Sequence, residues 1–247
     1  LWLCKRPAHA VKLLCSVNFL PLVCFFYHCN CYSANMLLSL QLLSRRLEQR
    51  LMLPLPGGDA HEHFRAKPVG DVRPLFDHKL PPRPGGVMIL LYEDEGSIKF
   101  PLIKRAEYLG AHSGQVSFPG GKGEPGEEST ATALRECEEE IGVQRDQISV
   151  IGKLSDFFVM PSNFMVTPVI GTIGYKPFFK PDPYEVVRVI EGDLLSLVRD
   201  DAIKEKEIMA AGKYRMVAPH FEIGGEVVWG ATAMMLNEFR LVLQEVL

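Results

Sequence analysis

Beyond residue 36 the chain has one cysteine, Cys137, although six occur in all. A disulfide framework is excluded for the greater part of the protein, which reads as a reduced, cytoplasmic polypeptide. A clean bilayer-crossing helix of ~20 apolar residues is also lacking. The apolar stretch from Leu13 to Tyr27 is too short and is broken by Ser16, Asn18 and Pro21, so no membrane partner is expected. Acidic residues are absent from the first 35 positions, where Lys5, Arg6 and Lys12 are the only charges, and the remainder carries 24 basic against 30 acidic side chains. A mildly acidic body gives no electrostatic case for nucleic-acid binding. No internal repeat or low-complexity tract interrupts it.

Composition divides the chain into three parts. Residues 1–35 hold five cysteines and are expected to be a non-native leader, either upstream sequence joined by a wrongly placed start or a signal-like segment with Ser33-Ala34 near a cleavage site. A zinc or disulfide role is a third reading, although the cysteine spacing fits no familiar ligand set. Residues 36–85 begin with an amphipathic helix, because Leu40, Leu43, Leu47 and Leu51 recur at helical spacing among Arg45, Arg46, Glu48 and Arg50. A Pro- and Gly-rich wrapping segment then follows, in which His61 and His63 flank Glu62 as a solvated loop pair. Residues 86–247 read as the functional domain. Val87–Tyr92 is a buried strand that turns at Glu95-Gly96 into a partner running from Ile98 to Arg105, and strands follow over 148–154 and 166–173. Asp193 caps a short helix, Gly224-Gly225 closes a second hairpin, and Met235, Leu236, Phe239, Leu243 and Val246 form the core stripe of a last helix.

The most informative stretch is residues 121–143. Leu134, Cys137 and Ile141 recur as the apolar side of a helix ended by Gly142, and Glu136, Glu139 and Glu140 fall together on the far side, away from the core. Carboxylates crowded on one turn repel each other, and a divalent cation removes the conflict. All-oxygen ligation suits Mg2+ or Mn2+, ions that bridge carboxylates to substrate phosphates. The preceding Gly120-Gly121-Lys122-Gly123 loop lets backbone approach closely, and Arg135 offers a planar fork to a carboxylate or phosphate.

The same residues resemble the Nudix box: Gly121, five residues, Glu127, seven residues, Arg135-Glu136, Cys137 at an aliphatic position, then Glu139-Glu140, Gly142 and Val143. The resemblance implies a Nudix-type α/β/α sandwich with a mixed β-sheet and hydrolysis of a phosphoanhydride. It further implies Glu136, Glu139 and Glu140 as metal ligands, Arg135 and Glu127 as braces between loop and helix, and Glu139 or Glu185 as base.

Just upstream, the run from Gly114 to Gly121 is similar to the element that precedes the box in coenzyme A diphosphatases. Arg105, Leu109, His112, Gly114, Gln115 and Phe118 fit that pattern, whereas Lys104 and Gly110 stand where the subfamily has Thr and Arg. Residues 157–164 and the Trp229-Gly230-Ala231-Thr232 helix start resemble it too. This implies Arg105, His112, Gln115, Phe118, Gly120 and Gly121 on the substrate side. It also implies cleavage of coenzyme A, or an acyl derivative, to 4′-phosphopantetheine and adenosine 3′,5′-bisphosphate. Two alternatives stay open: a Nudix pyrophosphatase of another nucleotide such as NADH or ADP-ribose, motivated by Gly110, and a Nudix-type module that senses a nucleotide without cleaving it.

Overall fold

The computed structural model describes residues 39–70, 75–107, 114–210 and 212–247. The expectations for residues 1–35, Leu109, Gly110 and His112 lie outside these. In chain order the elements are α1 (Leu40–Leu51), α2 (Gly57–Glu62), β1 (Lys67–Pro68), β2 (Arg83–Asp94), β3 (Ser97–Arg105), β4 (Val116–Ser117), β5 (Gly120–Lys122) and α3 (Ser129–Ile141). There follow β6 (Ser149–Lys153), β7 (Phe157–Val159), β8 (Phe164–Thr172), β9 (Val186–Asp193), α4 (Leu194–Leu197), β10 (Lys204–Ala210), β11 (Tyr214–Ile223), β12 (Glu226–Val228) and α5 (Gly230–Val246).

The main sheet has eight strands, ordered β4-β3-β2-β8-β6, with β5 on β2, β7 on β8 and β9 on β3. It is mixed, because β2 runs parallel to β8 while its pairings with β3 and β5 are antiparallel. Both faces of β2 are covered, which explains its unbroken apolar run. Met88, Leu90 and Tyr92 pack with Ala133, Cys137 and Ile141 of α3, whereas Ile89 and Leu91 join a second core with α1 and α5. The result is the expected α/β/α sandwich. Leu43 and Leu47 of α1 have no exposed surface, and burying each stabilises the fold by ~1.5–3 kcal/mol. A smaller sheet, β1-β11-β10 with β12 on β11, adds Phe221, which stacks on Phe64 at 4.9 Å between centroids. Among the described residues no helix is long and apolar enough to cross a membrane.

Two features depart from the sequence reading. Residues 54–86 are not one irregular connection but contain α2, β1 and the start of β2. His61 lies on α2 and is buried, its Nε2 at 2.9 Å from Oε2 of the fully buried Glu238. A carboxylate only accepts, so Nε2 donates. Glu238 also accepts from the backbone N–H of Gly57 and Ser155, and Asn237 Nδ2 donates to Ala60 O at 2.8 Å. The short helix is thereby held by tertiary contacts on α5. His63 alone matches the solvated expectation.

Candidate active site

Glycines set how closely the loop, sheet and helix approach. A Cβ on Gly86 of β2 would meet Ser129 O at 2.2 Å, so the first turn of α3 rests directly on the strand backbone. Gly120, at φ 151°, lies against Val87, a backbone conformation and a gap that only glycine accommodates. A Cβ on Gly121 would stand 2.5 Å from Glu136 Oε2. The missing side chain lets the Glu136 carboxylate lie against the loop backbone.

Arg135 organises the solvent side of the cluster. It forms a bidentate pair with Glu127, Nε to Oε1 at 3.0 Å and Nη2 to Oε2 at 3.1 Å, and Nη2 also donates to Lys122 O at 3.0 Å. Its Nη1 donates to Glu136 and to Glu139, each at 2.9 Å. The Arg135 guanidinium holds the Glu127 carboxyl down at about 2, helped by the Glu124 N–H. Glu136 is raised above the usual carboxylate range because burial outweighs Arg135. Glu139 is the most open of the box carboxylates, with 57% of its side chain exposed.

Glu140 corrects the expectation that all three acids face away from the core, because its residue is only 1% exposed. It occupies the flank of α3 over which β5 passes. Oε2 accepts from Gly120 N–H at 2.7 Å. Oε1 lies 3.0 Å from Arg105 Nη2, yet the geometry is off axis and this buried oxygen has no hydrogen-bond partner. Burial pushes the Glu140 carboxyl up to about 7 against the pull of Arg105 and Gly120. Glu185, exposed just before β9, adds negative potential at both Glu136 and Glu140.

The residues expected on the substrate side separate into groups. Arg105 is committed within the protein, donating to Gly120 O at 2.7 Å and Ser117 Oγ at 3.1 Å beside Glu140. Phe118 is completely buried in the core, so the expected substrate contact is corrected to a packing role beneath the loop. Gly120 spends its N–H on Glu140 and its carbonyl on Arg105. Gln115 is half-buried, and its carbonyl accepts from Arg105 N–H. Lys104 pairs with Glu226 at 2.9 Å.

Among the described residues no three acidic, His or Cys side chains converge on one point. Arg135 draws Glu136 and Glu139 onto itself. The donor set nonetheless fits a hard divalent cation: all donors are oxygens, and the buried Glu140 Oε1 has no hydrogen-bond partner, only the charge of Arg105 beside it. Glu136, Glu139 and Glu140 are the residues that would hold it.

The architecture is thus a mixed-sheet α/β/α sandwich in which a glycine loop feeds a glutamate-rich helix. The NUDIX domain family model matches residues 82–194. The chain is 34% identical over 177 residues to Nudix hydrolase 22, chloroplastic, of Arabidopsis thaliana, covering 68% of this chain and 58% of that protein. It is 35% identical over 162 residues to Nudix hydrolase 15, mitochondrial, of the same plant, covering 63% and 56%. It is 33% identical over 138 residues to the uncharacterized Nudix hydrolase NudL of Yersinia enterocolitica, covering 55% and 69%. The chain spans little more than half the length of the two plant proteins and belongs to the Nudix hydrolase family.

Proposed function

We propose that the protein hydrolyses the pyrophosphate bond of coenzyme A or its acyl derivatives with Mg2+ or Mn2+. The observation that carries the diphosphate chemistry is the placement of Glu136 and Glu140 of α3 against Gly121 and Gly120 of β5, with Glu139 open beside them. The Gly114–Gly121 element and the Trp229-Gly230-Ala231-Thr232 helix start support the substrate. A bound divalent cation supplies Lewis acidity, offsetting phosphate charge and lowering the pKa of the attacking water.

The chain's own groups do the rest. The water oxygen attacks one phosphorus, the bridging P–O bond breaks, and Glu139 or Glu185 takes the water's proton. Both are exposed enough to meet a water molecule. Arg135 and Glu127 brace the loop on α3, while Arg105 fixes Gly120 and faces Glu140, acting as a positioning residue.

Turnover of coenzyme A by the full chain, with magnesium and then manganese, tests this against ADP-ribose, NADH and 3′-dephospho-coenzyme A. Coenzyme A should be cut fastest, with 4′-phosphopantetheine as one product. The pairing of Lys104 with Glu226 favours one rival, because that ammonium is then not free to replace the arginine missing at Gly110. Faster cleavage of ADP-ribose or NADH would move the substrate to another nucleotide. No cleavage with either metal would leave a nucleotide sensor, against which the complete set of box carboxylates argues.

A further inference from the structure

Glu140 Oε1 is the one carboxylate oxygen among the described residues that is buried without a hydrogen-bond partner. A strong donor nevertheless stands beside it. Arg105 Nη2 lies 3.0 Å from this oxygen, close enough for a charge-assisted bond, yet its N–H groups are aimed elsewhere. Neighbouring acceptors turn them aside. Arg105 Nε donates to Ser117 Oγ at 3.1 Å, and Nη2 donates to Gly120 O at 2.7 Å. Bonds at two separate nitrogens of a planar guanidinium fix its tilt as well as its position. Gly120 O is a backbone group, so Ser117 is the side chain that sets that tilt.

Ser117 is itself firmly placed. It pairs with Ile103 across β4 and β3, and Val116 pairs with Lys104. Arg105 N–H donates to Gln115 O at 3.0 Å, and the buried Thr232, in the first turn of α5, donates from Oγ1 to Val116 O at 3.0 Å. Ile103 packs with Cys137 and Ile141 of α3, and residues opposite each other in a sheet share a face. The Ser117 hydroxyl thus lies on the side of the sheet that carries Glu140, and Arg105 reaches it from two residues further along β3.

A buried carboxylate that serves as a ligand has two conflicting needs: a compensating positive charge while the site is empty, and free lone pairs for ligation. A guanidinium held close but off axis meets both. A direct bond from Arg105 would occupy Oε1 and would have to be broken before that oxygen could ligate.

We propose that Ser117 is a positioning residue for the metal site: its hydroxyl holds Arg105 off the axis of Glu140 Oε1 and keeps that oxygen free to ligate Mg2+ or Mn2+. This rests on the assignment of Glu140 as a ligand in the hydrolase reading above. Without the hydroxyl, Arg105 pivots about Gly120 O and bonds Oε1.

The test follows Mn2+ binding by paramagnetic resonance of the free ion in the full chain of wild type, Ser117→Ala, Ser117→Thr and Glu140→Gln, with circular dichroism and Tm in chelator as the control for folding. Ser117→Ala should keep its fold and bind Mn2+ about tenfold more weakly, the usual effect of losing a contact that orients a ligand. Ser117→Thr retains the hydroxyl and should stay within about twofold of wild type. In turnover, Ser117→Ala should raise the magnesium concentration at half-maximal rate by a similar factor, whereas a merely structural role would lower the rate alike at every magnesium concentration. Mn2+ affinity within about twofold of wild type in Ser117→Ala, or equal losses in Ser117→Ala and Ser117→Thr, overturns the inference and leaves the metal-dependent hydrolase reading standing. If Glu140→Gln binds as tightly as wild type, or wild type binds no Mn2+, the ligand assignment itself fails and the inference falls with it.

Discussion

Glu140 bonds one oxygen to the Gly120 N–H, sets the other beside Arg105 without a hydrogen bond, and lies almost out of water. Such an arrangement is costly for folding alone. A neutral isostere should therefore separate fold from chemistry. Glu140→Gln still accepts from Gly120, so its circular dichroism and Tm should stay near wild type while kcat falls about a hundredfold or more. Near wild-type turnover at saturating magnesium would remove Glu140 from the ligand set. Gly121 gives a complementary test without touching a carboxylate. An added Cβ would sit 2.5 Å from Glu136 Oε2, the end of a flexible side chain and not backbone. Gly121→Ala should thus fold normally and displace Glu136, and a misplacement near 1 Å costs about a hundredfold in rate. Unaltered kinetics in that variant would mean that the position of Glu136 does not limit the reaction.

Between elements, the buried pair of His61 and Glu238 does for α2 what its own sequence cannot. Six residues with two glycines make no stable helix by propensity. Glu238→Ala leaves His61 and the Gly57 and Ser155 N–H groups without their acceptor, and breaking a buried pair of this kind costs about 3–5 kcal/mol. Burial pushes the Glu238 carboxyl upward, but the bonds from His61 and Ser155 outweigh it and leave it below its ordinary value of 4.5. A depressed carboxylate stabilises the fold above its unfolded pKa and loses that contribution as pH falls through the lower, folded value. The Tm gap between wild type and Glu238→Gln should be widest above pH ~5 and shrink as the solution is acidified below pH ~4; a gap that widens there would reverse the assignment. None of this was readable in the sequence, because a six-residue helix held by a partner 177 positions away leaves no periodicity. Strand β10 escaped for a related reason, being a charged and mostly exposed edge. Signals confined to a few neighbouring residues were legible: Gly142 in the left-handed cap, Asp193 accepting from Ser196 N–H, and the glycine turns at 96 and 224–225. The burial of Glu140 stands between these cases. The sequence grouped it with Glu136 and Glu139 on the side away from the core, and only β5 passing over the helix there covers it.

At the scale of the whole molecule, the acidic cluster exists only when distant parts of the chain are assembled. Gly120 and Gly121 come from β5, Glu136 and Glu140 from α3, Arg105 from the end of β3 and Glu185 from the lead into β9. An unfolded chain offers the same carboxylates without their arrangement, so a cation that uses the cluster binds the native state selectively. Binding and folding are then linked. At a free cation concentration 100 times Kd the fold gains about 2.7 kcal/mol, a rise in Tm of roughly 5–10 °C for a chain of this size. Wild type should show that rise with magnesium or manganese and lose it on chelation, and Glu136→Gln/Glu140→Gln should show little of it. The double variant also loses two partly buried charges, so its own Tm in chelator need not fall. The diagnostic quantity is the cation-induced increment, not the absolute Tm. Equal increments in wild type and the double variant would place the cation elsewhere on this acidic surface and undo the assignment of the ligands.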